Sequence, residues 1–114
     1  MSGVGLNFVI SRTYGRSELS ISRGSTEENK FIFDSLKEKK EQIEADFGGN
    51  LLWERMDTKK SSRIKYEKEG VNCYDKDDWD EMIKFMVDGM VRMEKALVKP
   101  LRSINMKLKK EGVE

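Results

Sequence analysis

Alternation of apolar and polar side chains predicts two β-strands near the start of the chain. Leu6, Phe8 and Ile10 share one face of the first strand. This strand covers residues 6–11, and a second strand over residues 16–22 continues the alternation with polar side chains on its other face. A short segment with a glycine separates the two strands, as in a tight turn. The pattern therefore predicts a β-hairpin with one face toward solvent.

A helical pattern follows this first hairpin. Ser25 and Glu28 have the spacing of a capping box, and Gly48 suits the left-handed residue that ends many helices. These signals predict one helix over about residues 26–47. The apolar side of this helix is formed by Ile32, Phe33, Leu36, Ile43 and Phe47.

A second hairpin is predicted after the helix. Residues 51–56 and 63–67 have strand character, and the polar residues 57–62 form the turn between them. Alternation places Ile64 and Tyr66 on one face of the later strand and charged side chains on the other.

The clearest helical stripe in the chain begins near Asp75. Pro100 is expected to stop or kink this helix, because proline lacks an N–H group and crowds the preceding turn. Residues 101–114 are predicted to be a basic C-terminal tail, either a short docked helix or a frayed segment. The apolar residues of the stripe are Trp79, Met82, Ile83, Met86, Met90, Met93 and Leu97.

The predicted element order is ββαββα. Two hairpins joined by helices indicate an α+β fold with an antiparallel sheet and two main helices packed on one of its faces. Residues 1–100 form one domain in this scheme, followed by the basic tail of residues 101–114. The order of the strands within the sheet does not follow from the sequence.

Composition narrows the range of functions. The chain has 114 residues, a net charge of +1, no histidine and one cysteine. Histidine is the usual general base near neutral pH and the commonest metal ligand, and one cysteine forms neither an intrachain disulfide nor a zinc cluster. We therefore expect no cofactor and no bound metal, and most familiar enzyme classes are excluded.

One partial catalytic motif remains. Asp57, Thr58 and Lys59 match the Asp-x-Lys half of a divalent-metal nuclease signature. Such a site also needs an acid from a neighbouring strand, for which Glu18 or Glu54 is available. The alternative is an ordinary turn sequence, since so short a pattern is common in a chain with 38% charged residues. No residue is assigned a catalytic role.

The sequence shows no sign of membrane association. No basic segment followed by an apolar run opens the chain, and its apolar runs are far shorter than the ~20 residues that span a bilayer. With Cys73 unpaired, a cytoplasmic location is expected.

Charge is distributed unevenly along the chain, with basic hairpins and acidic helices. If both hairpins join one sheet, their cations form a basic surface that suits nucleic acid, with a tyrosine available for stacking. The alternative is a set of ordinary solvated positions and edge-protecting charges. The nucleic-acid-binding candidates are Arg12, Tyr14, Arg16, Arg55, Lys59, Lys60, Arg63 and Lys65.

The methionine-rich last helix has two interpretations. Methionine side chains adapt to many shapes, so this helix suits a partner-binding groove, but the same residues also fill protein cores. Exposure of the valines on its flank favours a homodimer contact. The partner-interface candidates are Met86, Val87, Met90, Val91 and Met93.

Several segments together resemble a known family. They are Tyr14 to Ser22, Glu27 to Asp34, Lys39 to Glu44, Leu52 to Ile64, the Asp78-Trp79 helix start and the Met86-Val87 region. This set is similar to the domain-of-unknown-function 4268 family, and the run from Trp53 to Arg63 is its most specific part.

The resemblance implies a prokaryotic domain that often lies at the C-terminal end of longer proteins, some of which carry a nuclease-like domain. It brings no known catalytic residues. A nuclease-like partner domain is therefore one expected partner.

Two hypotheses about function follow. The first is a non-catalytic accessory module that helps a nuclease or related protein to recognise nucleic acid, with strong salt dependence. The second is a protein–protein or homodimerisation module whose association barely responds to salt. A contiguous basic face favours the first hypothesis, and a contiguous apolar strip on the last helix favours the second.

Overall fold

Residues 1–110 are described by a computed structural model of the protein. They form an α+β fold with a four-stranded antiparallel sheet and three helices. The sheet has the strand order β1-β2-β4-β3. The elements are β1 (Val4–Ile10), β2 (Tyr14–Ile21), α1 (Thr26–Lys37), α2 (Lys40–Phe47), β3 (Leu52–Glu54), β4 (Ser62–Glu69) and α3 (Lys76–Lys110).

Both predicted hairpins join one sheet through the pairing of β2 with β4. One row of the sheet runs across all four strands, from Leu6 through Leu19 and Ile64 to Trp53. Side chains in this row point to the face on which the helices pack, which we call the inner face. Ile64 and Tyr66 lie on this face, as the alternation predicted, and Ile64 is fully buried.

The core lies between the inner face and the three helices. The methionines of α3 contribute to it: Met93 is fully buried, and Met82 forms a smaller cluster with Val71 and Met86. Phe47 of α2 meets the Tyr66 ring edge-to-face, which joins the second helix to the sheet. The largest fully buried apolar side chains are Phe47, Leu19, Ile21, Ile32, Leu36, Ile43, Ile64, Met93 and Leu97.

The prediction of a single helix over residues 26–47 is wrong, because two helices occupy this segment. The break falls at residues 38–39, and Lys39 leaves the helical region with φ −103 and ψ 17. Residues 37–42 are all polar, so no apolar side chain holds this turn against the core. The predicted caps are confirmed: Ser25 Oγ accepts from the Glu28 N–H, and Gly48 is left-handed with φ 88.

The third strand is shorter than the predicted residues 51–56. The N–H of Leu51 donates to the Glu44 carboxylate instead of joining the sheet. At the other end, Met56 adopts a positive φ of 57, which turns the chain away from β4. Only Leu52–Glu54 therefore pair as a strand.

Pro100 does not end the last helix, contrary to the expectation from its missing N–H. Helix α3 is 35 residues long and runs from Lys76 through Pro100 to Lys110. Ile104 and Leu108 are buried beyond the proline, and this packing holds the final turns on the core. Residues 101–110 of the predicted tail thus belong to α3, and residues 111–114 lie outside the described residues.

Candidate functional site

The sheet face opposite the helices, here called the outer face, carries a central group of three basic and three acidic side chains, with a fourth acid, the exposed Glu69, at the end of β4. Arg16 lies opposite Glu67, and Glu18 lies opposite Lys65 in the β2–β4 register. The Arg16 guanidinium contacts Glu18 at 2.6 Å and Glu67 at 3.2 Å. Hydrogen bonds to these two acids outweigh the effect of burial and raise the pKa of Arg16.

The remaining outer-face cations are also paired. The Lys65 ammonium lies 3.4 Å from Glu54 and 3.3 Å from Glu67, and Arg63 forms an ion pair with Glu54. Although burial alone raises the pKa of Glu54, its two basic partners outweigh burial and lower it. Lys65 is only 8% exposed. This central group of the outer face is therefore a closed, electrically balanced network rather than a free basic surface.

All three candidates in the first hairpin take part in cation–π contacts. The Arg12 guanidinium lies 5.5 Å from the centre of the Tyr74 ring, and the Arg16 guanidinium lies 4.9 Å from the centre of the Tyr14 ring. One face of Tyr14 is thus occupied by Arg16.

Arg63 and Lys65 of the second hairpin belong to the same ion-pair network as Arg16, whereas the turn of this hairpin lies at the other end of the sheet from Tyr14. Tyr14 pairs with Glu69 at the end of β4, whereas the turn that carries Lys59 and Lys60 precedes β4. Within residues 1–110, these two lysines are exposed and form no ion pair. The eight residues of β4 separate the two ends by roughly 25 Å. The structure therefore does not bring the eight candidates together.

Residues 55–61 between β3 and β4 are held by helix α1. The Lys30 ammonium lies 2.5–3.0 Å from the carbonyl oxygens of Arg55, Met56 and Ser61 and from the Ser62 hydroxyl. Burial, followed by the nearby Arg55 charge, lowers the pKa of Lys30. We call this arrangement the Lys30 cage. Its acceptor groups lie within the run from Trp53 to Arg63 that is most typical of the family resemblance, and the cage gives that run a structural role.

Two neighbouring contacts strengthen the same turn. The side chain of Asn29 donates to the Lys60 carbonyl at 2.9 Å. The Arg55 guanidinium donates to both oxygens of Asp34 at 2.9 and 3.0 Å and also bonds Asp57. Sequence reasoning assigned no role to Asn29 and Lys30. The available signal was their position, because Asn29 falls one turn before Ile32 and Phe33 on the buried side of α1.

The partial nuclease motif has no metal-binding environment in the described part of the chain. Its acid, Asp57, is engaged by Arg55. No group of three or more acidic, cysteine or histidine side chains suited to a metal ion occurs in residues 1–110. Over the same residues, no helix combines the length and the apolar character required to cross a membrane.

The strongest exposed feature is an apolar stripe on α3. Val87 and Val91 are 47% and 62% exposed, whereas Met86 and Met93 point into the core and Met90 is half-buried. The exposed residues recur mostly at a spacing of four, which places them on one side of the helix. The α3 stripe consists of Trp79, Ile83, Val87, Val91 and Val98.

Strand β1 extends this apolar surface along the edge of the sheet. Ile10 lines a cavity of about 180 Å³ with Trp79 and Ile83, near the start of α3. At the other end, Val4 lines a second cavity with Val98. Helix α3 therefore runs antiparallel to β1. We call the α3 stripe together with the half-exposed Phe8 and Ile10 the β1–α3 face.

The two edges of the sheet differ in their protection. Strand β1 has seven residues without a charge or a proline, and no strand of residues 1–110 pairs with its free edge. The opposite edge, β3, has three residues and carries the charged Glu54. Short length and charge are the usual defences of an edge strand, so β1 is the exposed one.

Comparisons with known proteins give one match. The model of a family described as a domain of unknown function, DUF4268, matches residues 1–101. No curated protein and no solved structure matches the chain.

Proposed function

The chain belongs to the DUF4268 family, and we propose that it is a protein–protein association module that binds through the β1–α3 face. The observation that carries this proposal is the exposure of Val87 and Val91 at the centre of the α3 stripe. Monomeric proteins rarely leave a large contiguous apolar patch in water. An edge strand without charge next to such a patch is typical of a surface that another chain covers.

The size of the face is consistent with association. Each of its apolar side chains is about half exposed, so covering one gains roughly 1 kcal/mol. The summed free energy from covering the seven residues of the face lies within the range of the free-energy cost of association, about 4–15 kcal/mol. The free energy comes from apolar area, and binding should therefore persist at high salt.

Nucleic-acid recognition is the second candidate. Its support is the exposed pair Lys59 and Lys60, together with Arg12 at the other end of the sheet. The balanced outer face contributes no net positive charge to it, so the cations available to phosphate groups are fewer than the hairpin sequences suggest.

A photo-crosslinking experiment tests the association module. A benzophenone amino acid is placed at position 87 of the full chain and, as a matched control, at position 41 on the exposed side of α2. Irradiation in cells is expected to give a discrete adduct at position 87 that mass spectrometry identifies as a protein and that remains at about 500 mM salt. The added substitution Val91→Glu should abolish this adduct. Equal, diffuse labelling at both positions would refute the proposal.

A further inference from the structure

We propose that the partner at the β1–α3 face is a second copy of this chain, joined by antiparallel pairing of β1 with β1. The two four-stranded sheets then form one eight-stranded sheet. This inference rests on the proposed function, because it names the partner of the same face.

The hydrogen-bonding pattern of β1 suits self-pairing. The Ser11 N–H donates to Tyr14 and the Ser22 N–H donates to Gly3, so the odd-numbered positions of the first strand bond to β2. In an antiparallel ladder the bonding direction alternates along a strand. The even-numbered positions of β1 therefore direct their N–H and C=O groups toward the free edge.

A two-fold axis at Asn7 satisfies these free groups and also matches the side chains. In this register Leu6 faces Phe8 of the second copy, and Val4 faces Ile10. All four residues lie on the inner face, because they alternate in step along β1. The half-exposed Phe8 and Ile10 are thus covered by the apolar side chains of the other β1.

The charges of α3 favour the same antiparallel arrangement. Between Lys76 and Met90 there are five acidic and two basic residues, whereas one acidic and seven basic residues lie between Val91 and Lys110. Because α3 is antiparallel to β1, a two-fold axis near the middle of β1 sets the acidic half of one α3 toward the basic half of the other. A parallel arrangement would instead face like charges against each other.

The α3 stripes complete the proposed interface. Helix α3 lies over β2, one strand in from the edge, where the Ser17 hydroxyl donates to the Met86 carbonyl. The paired β1 strands therefore form a floor between the two α3 helices. Val87 and Val91 of each copy lie along the two sides of this groove and enclose the Phe8 side chains.

Disulfide trapping tests the pairing and its register. The native cysteine is first removed as Cys73→Ser, and Asn7→Cys is then added. In the proposed register the two copies of residue 7 form a non-hydrogen-bonded pair with Cα atoms about 4.5 Å apart, within the range of a disulfide. The matched control is Val9→Cys on the same side of β1, whose two copies would lie roughly 14 Å apart.

We expect mild oxidation to give a covalent dimer with Asn7→Cys and almost none with Val9→Cys. Sedimentation of the purified wild-type chain should show a reversible dimer, and Val91→Glu should raise its Kd by about 10-fold or more. A dimer that Asn7→Cys does not trap would overturn the β1 pairing. A wild-type chain that remains monomeric at high concentration would overturn the second copy as partner. In either case the crosslink at position 87 still decides the proposed function.

Discussion

Replacing Lys30 with methionine is a direct test of the Lys30 cage. The substitution Lys30→Met keeps a four-atom apolar side chain of similar shape but removes the ammonium. The carbonyl oxygens of Arg55, Met56 and Ser61 then lose their shared donor. We expect the turn to lose its attachment to α1 while the rest of the fold remains.

The expected cost follows from the number of contacts. Four oxygens lie 2.5–3.0 Å from the nitrogen, but an ammonium has three hydrogens, so about three strong bonds form. Each bond to a charged group contributes about 1.5–3 kcal/mol, and burying the ammonium offsets several kcal/mol of that sum. The free carbonyl groups of this surface turn can also bond to water. We therefore expect a loss of about 3 kcal/mol in the free energy of unfolding.

Urea unfolding followed by circular dichroism measures this loss. Lys37→Met on the exposed side of the same helix is the control, and it should change stability by less than about 0.5 kcal/mol. The m-value should stay near that of the wild type, because the surface exposed on unfolding is nearly unchanged. If Lys30→Met loses less than about 1 kcal/mol, the cage does not contribute as its geometry indicates.

Three further predictions concern other parts of the molecule. Gly89→Ala should lower the melting temperature, because the new Cβ would lie 2.7 Å from the Tyr66 ring. Such overpacking costs about 1–3 kcal/mol, whereas the higher helix propensity of alanine contributes only about 1 kcal/mol. A more stable variant would contradict this prediction. The arginine hydrogen bond lowers the pKa of Asp34, so its contribution is present above the ordinary value of 3.8 and is lost as the pH falls through the lower folded value. Acid unfolding of Asp34→Asn should accordingly depend less on pH than that of the wild type, and identical acid profiles would exclude this contribution. For nucleic acid, a salt titration with a labelled oligonucleotide should give a log–log slope smaller by about 1–2 when Lys59 and Lys60 are both alanine. An unchanged slope, or no binding by the wild type at low salt, would remove these lysines from consideration.

The parts of the fold that were predictable are governed by local rules. The Ser25 cap, the left-handed Gly48 and the inner faces of β2 and β4 depend on residues close in sequence, and the structure confirms them. The break at Lys39 was missed although its cause, the polar run of residues 37–42, is local. The continuation through Pro100 was missed because packing of Ile104 and Leu108 against distant elements decides it.

The charge balance of the outer face depends on distant residues in the same way. Arg16 contacts Glu67, and Glu18 lies opposite Lys65, only because β2 pairs with β4, a choice that alternation along one strand does not determine. The basic residues were visible in the sequence, but the contact of Arg16 with Glu67 across the two hairpins was not. By contrast, helical periodicity alone places Val87 and Val91 on a flank of the last helix, and the structure shows that both are exposed.

The closed network of the outer face also constrains how these positions can evolve. Arg16 contacts both Glu18 and Glu67, and Glu67 also contacts Lys65. Exchanging the charges of one pair would therefore place like charges beside the next pair. Single charge reversals and single swaps both pass through a penalised intermediate, so reversal requires several coordinated substitutions. Replacement by neutral residues one contact at a time is the easier route, and strong epistasis is expected among these positions.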